Sequence, residues 1–164
     1  MTVVRPPKIP ESVLVVIHTH DLQVLLIERA DRPGFWQSVT GSKDAPDEPE
    51  ADTAIREVAE ETGIVIGSPQ VPLSSLRDWN LRNVYEIYAT WRHRYAPGVT
   101  HNTAHVFGLC VPRDVVVMLS PREHLRHAWL PMFEAADRCF SASNAEAILL
   151  LPRFNRPDPP CGTA

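Results

Sequence analysis

The run from Pro49 to Gly63 constrains this chain more than any other segment. At about 100° per residue around a helix, Ala51, Ile55, Val58, Ala59 and Thr62 fall on one side. Glu57, Glu60 and Glu61 fall together on the other, at i, i+3 and i+4. Pro49 suits the first turn and Gly63 the position just past the end. The spacing predicts a helix over residues 50–62 with a small buried face and three clustered carboxylates. Like charges at such spacings weaken a helix by about 0.2–0.5 kcal/mol per pair, and only Arg56 lies close in sequence to offset them. A hard divalent cation would resolve the repulsion, because Mg²⁺ takes oxygen ligands and bridges carboxylates to phosphates. Three glutamates on a helix are more often a solvated acidic face, so the surrounding pattern has to decide.

That pattern is Gly41, Glu48, Arg56-Glu57-Val58, Glu60-Glu61 and Gly63-Ile64. It resembles the signature of the Nudix hydrolases: Gly, five residues, Glu, seven residues, Arg-Glu-aliphatic, one residue, Glu-Glu, one residue, Gly-aliphatic. One departure stands out, since six residues separate Gly41 from Glu48. The extra residue makes Asp47 the alternative carboxylate at the usual spacing.

The resemblance implies an α/β/α sandwich around a mixed β-sheet, and hydrolysis of a phosphoanhydride with Mg²⁺, for which Mn²⁺ can substitute. Carried onto this sequence, Glu57 and Glu61 would be the main metal ligands, and Glu60 a further ligand or a water-activating group. Arg56 would hold the glutamates in place, and Gly41 would let the backbone approach the metal site. Glu48 and Gly63 would be structural members of the motif.

Segments outside the motif narrow the likeness. Phe35 to Ser42, Arg92 to Thr103, and Glu123-His124-Leu125 ahead of Ala128-Trp129-Leu130 resemble the bacterial branch of the family that acts on dihydroneopterin triphosphate. That branch implies a further metal ligand at Glu123. It also implies a monophosphate and pyrophosphate as products, in folate biosynthesis. Arg92 or Arg94 could then grip phosphates, and Tyr95 or Trp91 could stack on a flat ring. Asn102 and Trp36 are further candidates for contacts with the ring. Read without the resemblance, Trp91 to Tyr95 is equally an ordinary strand that buries its aromatics and exposes its arginines. His101 and His105 are four apart, but no third ligand completes a zinc set.

The rest of the chain reads as mixed α and β. Residues 13–18 and 24–28 look like a hairpin joined through His20-Asp21, and Asp31 to Gly34 like a turn. Short strands are expected over 35–39, 84–91, 105–111 and 115–118. A closing helix is expected over 143–151, with Ser143 as its cap and Glu146 completing a capping box. Proline-rich ends suggest a flexible segment over 1–10, one domain over 11–151 and a loose tail over 152–164.

Composition agrees with a packed enzyme domain: 164 residues, 44% hydrophobic, with a formal charge of −4. A weakly acidic chain is a poor fit for a nucleic-acid polymer as partner, and no apolar run approaches the length needed to span a membrane. Cys110, Cys139 and Cys161 are widely spaced, so a reducing cytoplasm is the expected setting. The partner expected is a small-molecule triphosphate. Two other functions fit the same motif: a hydrolase of dNTPs or dinucleoside polyphosphates, and a nucleotide sensor of the same fold without catalysis. The intact Glu57, Glu60 and Glu61 favour catalysis over the sensor.

Overall fold

The structure is a computed structural model that describes residues 4–155. Its organising strand is β1 (Glu11–His18), buried without a break from Ser12 to His18. Val13, Val15 and Ile17 enter one core, while Leu14 and Val16 enter a second core on the opposite face. A strand reads as a continuous apolar run when both of its faces are covered. In β2 (Gln23–Arg29), Leu25 and Ile27 join the first core and Val24 and Leu26 the second.

Then follow β3 (Trp36–Gln37), β4 (Val39–Ser42), α1 (Glu50–Thr62), β5 (Leu76–Glu86), β6 (His101–Cys110) and β7 (His124–Pro131). The chain closes with α2 (Met132–Arg138), α3 (Ala142–Leu149) and α4 (Leu151–Phe154). The sheet runs β3-β2-β1-β6-β5, with β4 also on β1 and β7 also on β2. β1 and β6 are parallel and the other pairs antiparallel, so the sheet is mixed. α1 contributes Ala54 and Val58 to the first core. Ala135, Ala136, Ala147, Ile148 and Leu151 of the later helices fill the second. This is the expected α/β/α sandwich. Among the described residues, no helix is long and apolar enough to cross a membrane.

Several expected elements differ. The β1–β2 hairpin keeps one register pair, His18 with Val24. The strands then part: β4 pairs with residues 12–15 of β1, and β7 takes the free edge of β2. The strand expected over 84–91 is instead the end of β5 followed by a 3₁₀ segment, Ala89–Arg94. Residues 115–118 form no strand. They cross the end of α1, where the Met118 N–H donates to the Thr62 carbonyl at 2.8 Å. β7 and α2 had no counterpart in the sequence reading. The last long helix begins at Ala142, and Ser141 rather than Ser143 accepts the capping hydrogen bond from the Asn144 N–H.

Both expected loose ends are tied where they meet the domain. The Lys8 N–H donates to the Arg94 carbonyl at 2.8 Å, and Lys8 bridges to Tyr95. Beyond Leu151, Phe154 stacks on Trp79 with ring centroids 4.6 Å apart and 7° between planes. Residues 156–164 of the expected tail, with Cys161, lie outside the described residues, as do residues 1–3.

Candidate active site

The acidic cluster forms where the second half of α1 meets β4. A Cβ on Gly41 would lie 1.9 Å from Glu57 Cδ, so only glycine lets β4 pass this close to the carboxylate. Gly63 ends the helix in the left-handed region, at φ 71°, and its N–H donates to the Ala59 carbonyl at 2.9 Å. Glycine takes that conformation without steric cost.

Arg56 ties the cluster together. One guanidinium nitrogen donates to Glu57 Oε1 at 2.9 Å and lies 3.5 Å from Glu60 Oε2. Another donates to Glu48 Oε1 and to the Ser42 carbonyl, each at 2.9 Å. Its Nε lies 3.1 Å from Asp44 Oδ2 but lacks hydrogen-bond alignment. Glu48 also accepts from the Thr53 hydroxyl. The extra residue before the helix is therefore absorbed in the turn, where the Glu48 N–H meets the Ala45 carbonyl at 3.1 Å. Asp47 stays exposed, and Glu48 takes the motif's place.

The three helix glutamates are not equivalent. Glu60 is exposed, Glu57 largely covered and Glu61 buried. The buried face of α1 therefore lies further round than the sequence suggested and takes in Glu61, while Glu60 stays in solvent. The buried positions are Thr53, Ala54, Val58, Glu61 and Thr62, while Ala51 is exposed. Burial raises the Glu57 carboxyl to about 7 against the pull of Arg56. Burial, then the like charges of Glu57 and Glu123, holds Glu61 well above the usual carboxylate range. Glu61 Oε2 is buried with no hydrogen-bond partner among the described residues. A buried, crowded, unpartnered carboxylate is the donor a divalent cation satisfies.

Glu123 comes to this cluster from the loop before β7. One donor atom each of Glu61, Glu123 and His124 lie within 4.8 Å of one another. His124 is buried, and its pKa is pushed down to about 4 by burial and then by the Arg29 charge, so the ring is neutral. Sequence reasoning passed over His124, although it adjoins Glu123. A second acidic group, Glu11, Glu50 and His105, is already served by the Lys43 ammonium, 3.4 Å from Glu11 and 3.2 Å from Glu50.

A cavity of about 1110 Å³ opens over the cluster. Its walls carry the cations Lys8, Arg29 and Arg94 and the rings of Tyr88, Trp91, Tyr95 and Phe140. Asp31 holds the cationic wall in order: Arg29 grips it through two 2.8 Å bonds, and Arg94 donates to it at 3.1 Å. Arg29, and then Arg94, keep that carboxyl at about 2. The Arg29 guanidinium also sits 4.6 Å from the centre of the Trp91 ring, a cation–π contact. Tyr88 and Trp91 meet edge-on at 5.5 Å, with Phe140 6.1 Å from each.

Of the residues expected at the substrate, Arg94 and Tyr95 line this cavity, and Arg92, Asn102 and Trp36 do not. Arg92 turns back to pair with Glu86 and the Ile87 carbonyl. Asn102 is buried behind the wall, donating to Ser12 Oγ at 2.7 Å and to the Tyr85 hydroxyl at 3.1 Å. Trp36 is buried in the second core, with Arg126 and Arg138 over its ring. Tyr88 and Phe140 went unnoticed in the sequence because they lie far apart in the chain, without a local pattern.

Residues 8–151 match the family model described as the NUDIX domain. The chain is 43% identical over 143 residues to dihydroneopterin triphosphate diphosphatase of Escherichia coli (strain K12), covering 86% of this chain and 91% of that one. It is 40% identical to the Haemophilus influenzae protein of the same name, covering 84% of each. The solved structure of the E. coli dihydroneopterin triphosphate pyrophosphohydrolase superposes with a TM-score of 0.79 at 41% identity, over 88% of this chain and 95% of that one. A C. elegans Ap4A hydrolase complex shares the fold, with a TM-score of 0.65 at 20% identity. With the motif, the carboxylate cluster and the sandwich in agreement, the chain belongs to the Nudix family of hydrolases.

Proposed function

We propose that this hydrolase cleaves dihydroneopterin triphosphate to dihydroneopterin monophosphate and pyrophosphate in the cytoplasm, as a step of folate biosynthesis. It would use Mg²⁺, with Mn²⁺ as substitute. The carrying observation is a cavity that joins a buried carboxylate cluster to a cationic and aromatic wall. A pterin triphosphate has the matching parts, a polyanionic end and a flat ring. The names of the relatives similar over most of both chains support the choice of ring.

In this reading Glu57 and Glu61 hold the cation, and Glu60 and Glu123 are further carboxylates of the same site. The bound cation supplies charge neutralisation and an aligned water. Glu60, exposed to the cavity and only loosely paired with Arg56, takes the proton of the attacking water. Arg56 positions Glu57 and Glu48 by charge-assisted hydrogen bonds. Arg94 and Lys8 meet phosphate oxygens, and the ring stacks in the recess of Tyr88, Trp91, Tyr95 and Phe140. Asn102 acts indirectly, by fixing Tyr85 in the cavity wall. Arg92 and Trp36 make no substrate contact. The substrate is a small molecule, not a nucleic-acid polymer.

The test is product identity. Phosphorus NMR of the reaction with dihydroneopterin triphosphate and Mg²⁺ should show the monophosphate and pyrophosphate. Release of orthophosphate with the diphosphate would contradict the proposal.

A further inference from the structure

His124 stands at the start of β7, and the backbone around it is fixed from both sides. The N–H groups of Glu123 and His124 donate to the Ser120 carbonyl at 3.1 and 3.0 Å, and the Glu123 carbonyl accepts from the Ala30 N–H at 2.9 Å. His124 also sits opposite Arg29 in the β2–β7 register. The ring is thus delivered to its position by two strands rather than by a free loop.

Yet the ring it delivers is unsatisfied. His124 is 4% exposed, and its buried Nδ1 has no hydrogen-bond partner among the described residues. Glu61 is 5% exposed and its Oε2 is likewise without a partner. Two orphaned polar atoms belong to side chains whose donor atoms share a space within 4.8 Å with a Glu123 oxygen. Buried polar atoms almost always have partners, and orphans need an explanation. One cation between the three side chains would take a ligand atom from each and give these buried polar side chains a partner.

We propose that His124 supplies a nitrogen ligand to the cation bound by Glu61 and Glu123, making the site a mixed oxygen and nitrogen donor set. This rests on the reading of Glu61 as a metal ligand. The consequence is metal preference. Mg²⁺ favours oxygen donors, whereas Mn²⁺ and the later first-row ions accept imidazole more readily. The site therefore binds Mn²⁺ in preference to Mg²⁺ by more than a carboxylate-only site would.

The direct test is pulsed electron paramagnetic resonance of the full chain loaded with Mn²⁺. The parent should show the ¹⁴N coupling of a directly bound imidazole. His124→Gln should lose that coupling and still bind Mn²⁺, about 10-fold more weakly, with a much smaller loss of Mg²⁺ affinity. His124→Asn serves as a second variant if the first does not melt cooperatively. Mn²⁺ bound with only remote nitrogen couplings, or coupling that survives both substitutions, would overturn the ligand assignment and leave the carboxylate site standing. Mn²⁺ binding that ignores Glu61→Gln would overturn both readings.

Discussion

Glu61 is the residue at which side-chain chemistry and environment disagree. At about 100° per residue it lies beside Ala54 and about 60° from Val58, the two residues that α1 gives to the first core, and it is buried with them. A face drawn through Ala51, Ile55 and Ala59 leaves Ala54 out and so puts Glu61 on the wrong side. The residue types and their cluster were legible in the sequence, but the true centre of the buried face was not. That burial has a testable sign. Folded Glu61 keeps its proton to a higher pH than an unfolded glutamate does. The folded state then binds more protons in that interval, so its stability falls as pH rises from the ordinary carboxylate range through the raised value. Glu61→Gln removes this titration. With EDTA present, the variant should melt above the parent at about pH 8, and the gap should shrink toward about pH 5, where both are neutral at this site. A gap that does not change with pH would contradict the burial argument. With Mg²⁺, the same variant should lose at least about 100-fold in turnover.

Gly41 is tested at the same scale. The atom that a new Cβ would strike is Glu57 Cδ, near the end of a side chain that can swing away. Gly41→Ala should therefore cost little stability while displacing Glu57, lowering kcat about 100-fold. A variant with normal kcat would show that Glu57 does not need this approach.

At the scale of elements, sequence signals succeeded where a segment carries its own punctuation. α1 has Pro49 and Gly63 at its ends, and its limits match the expectation. Val115 to Met118 has strand-like composition but no partner strand. It is used instead to cover the end of α1, a tertiary choice that overrides propensity. β7 was missed because His124, Arg126 and His127 break up its apolar pattern. The end of the chain needs the same correction. Proline content suggested that everything past Leu151 is loose, but Phe154 finds Trp79, which lies in β5. Phe154→Ala should lower stability by about 0.5–1.5 kcal/mol for the lost stacking, plus its lost burial. Urea melts should resolve this, and an unchanged midpoint would return the segment to the loose class.

For the whole molecule, the layered architecture was legible through the motif, while the cavity was not. Its wall draws Arg29 from β2, Trp91 from the 3₁₀ segment, Glu123 from the loop before β7 and Phe140 from between α2 and α3. Periodicity reports neighbours along the chain and says nothing of such convergence. This also explains why Arg92, adjacent in sequence to Trp91, turns away from the cavity, and why Asn102 supports the wall from behind. The cavity's selectivity is what the proposed function depends on. A recess of fixed aromatic and polar groups rejects a ring that leaves its buried polar atoms unpaired. The most direct measurement is kcat/KM for dihydroneopterin triphosphate, dATP and GTP under one Mg²⁺ condition. The pterin should exceed both nucleotides by about 100-fold or more. Equal values for dATP and the pterin would contradict the assignment and make this chain a nucleotide-pool hydrolase with the same metal chemistry.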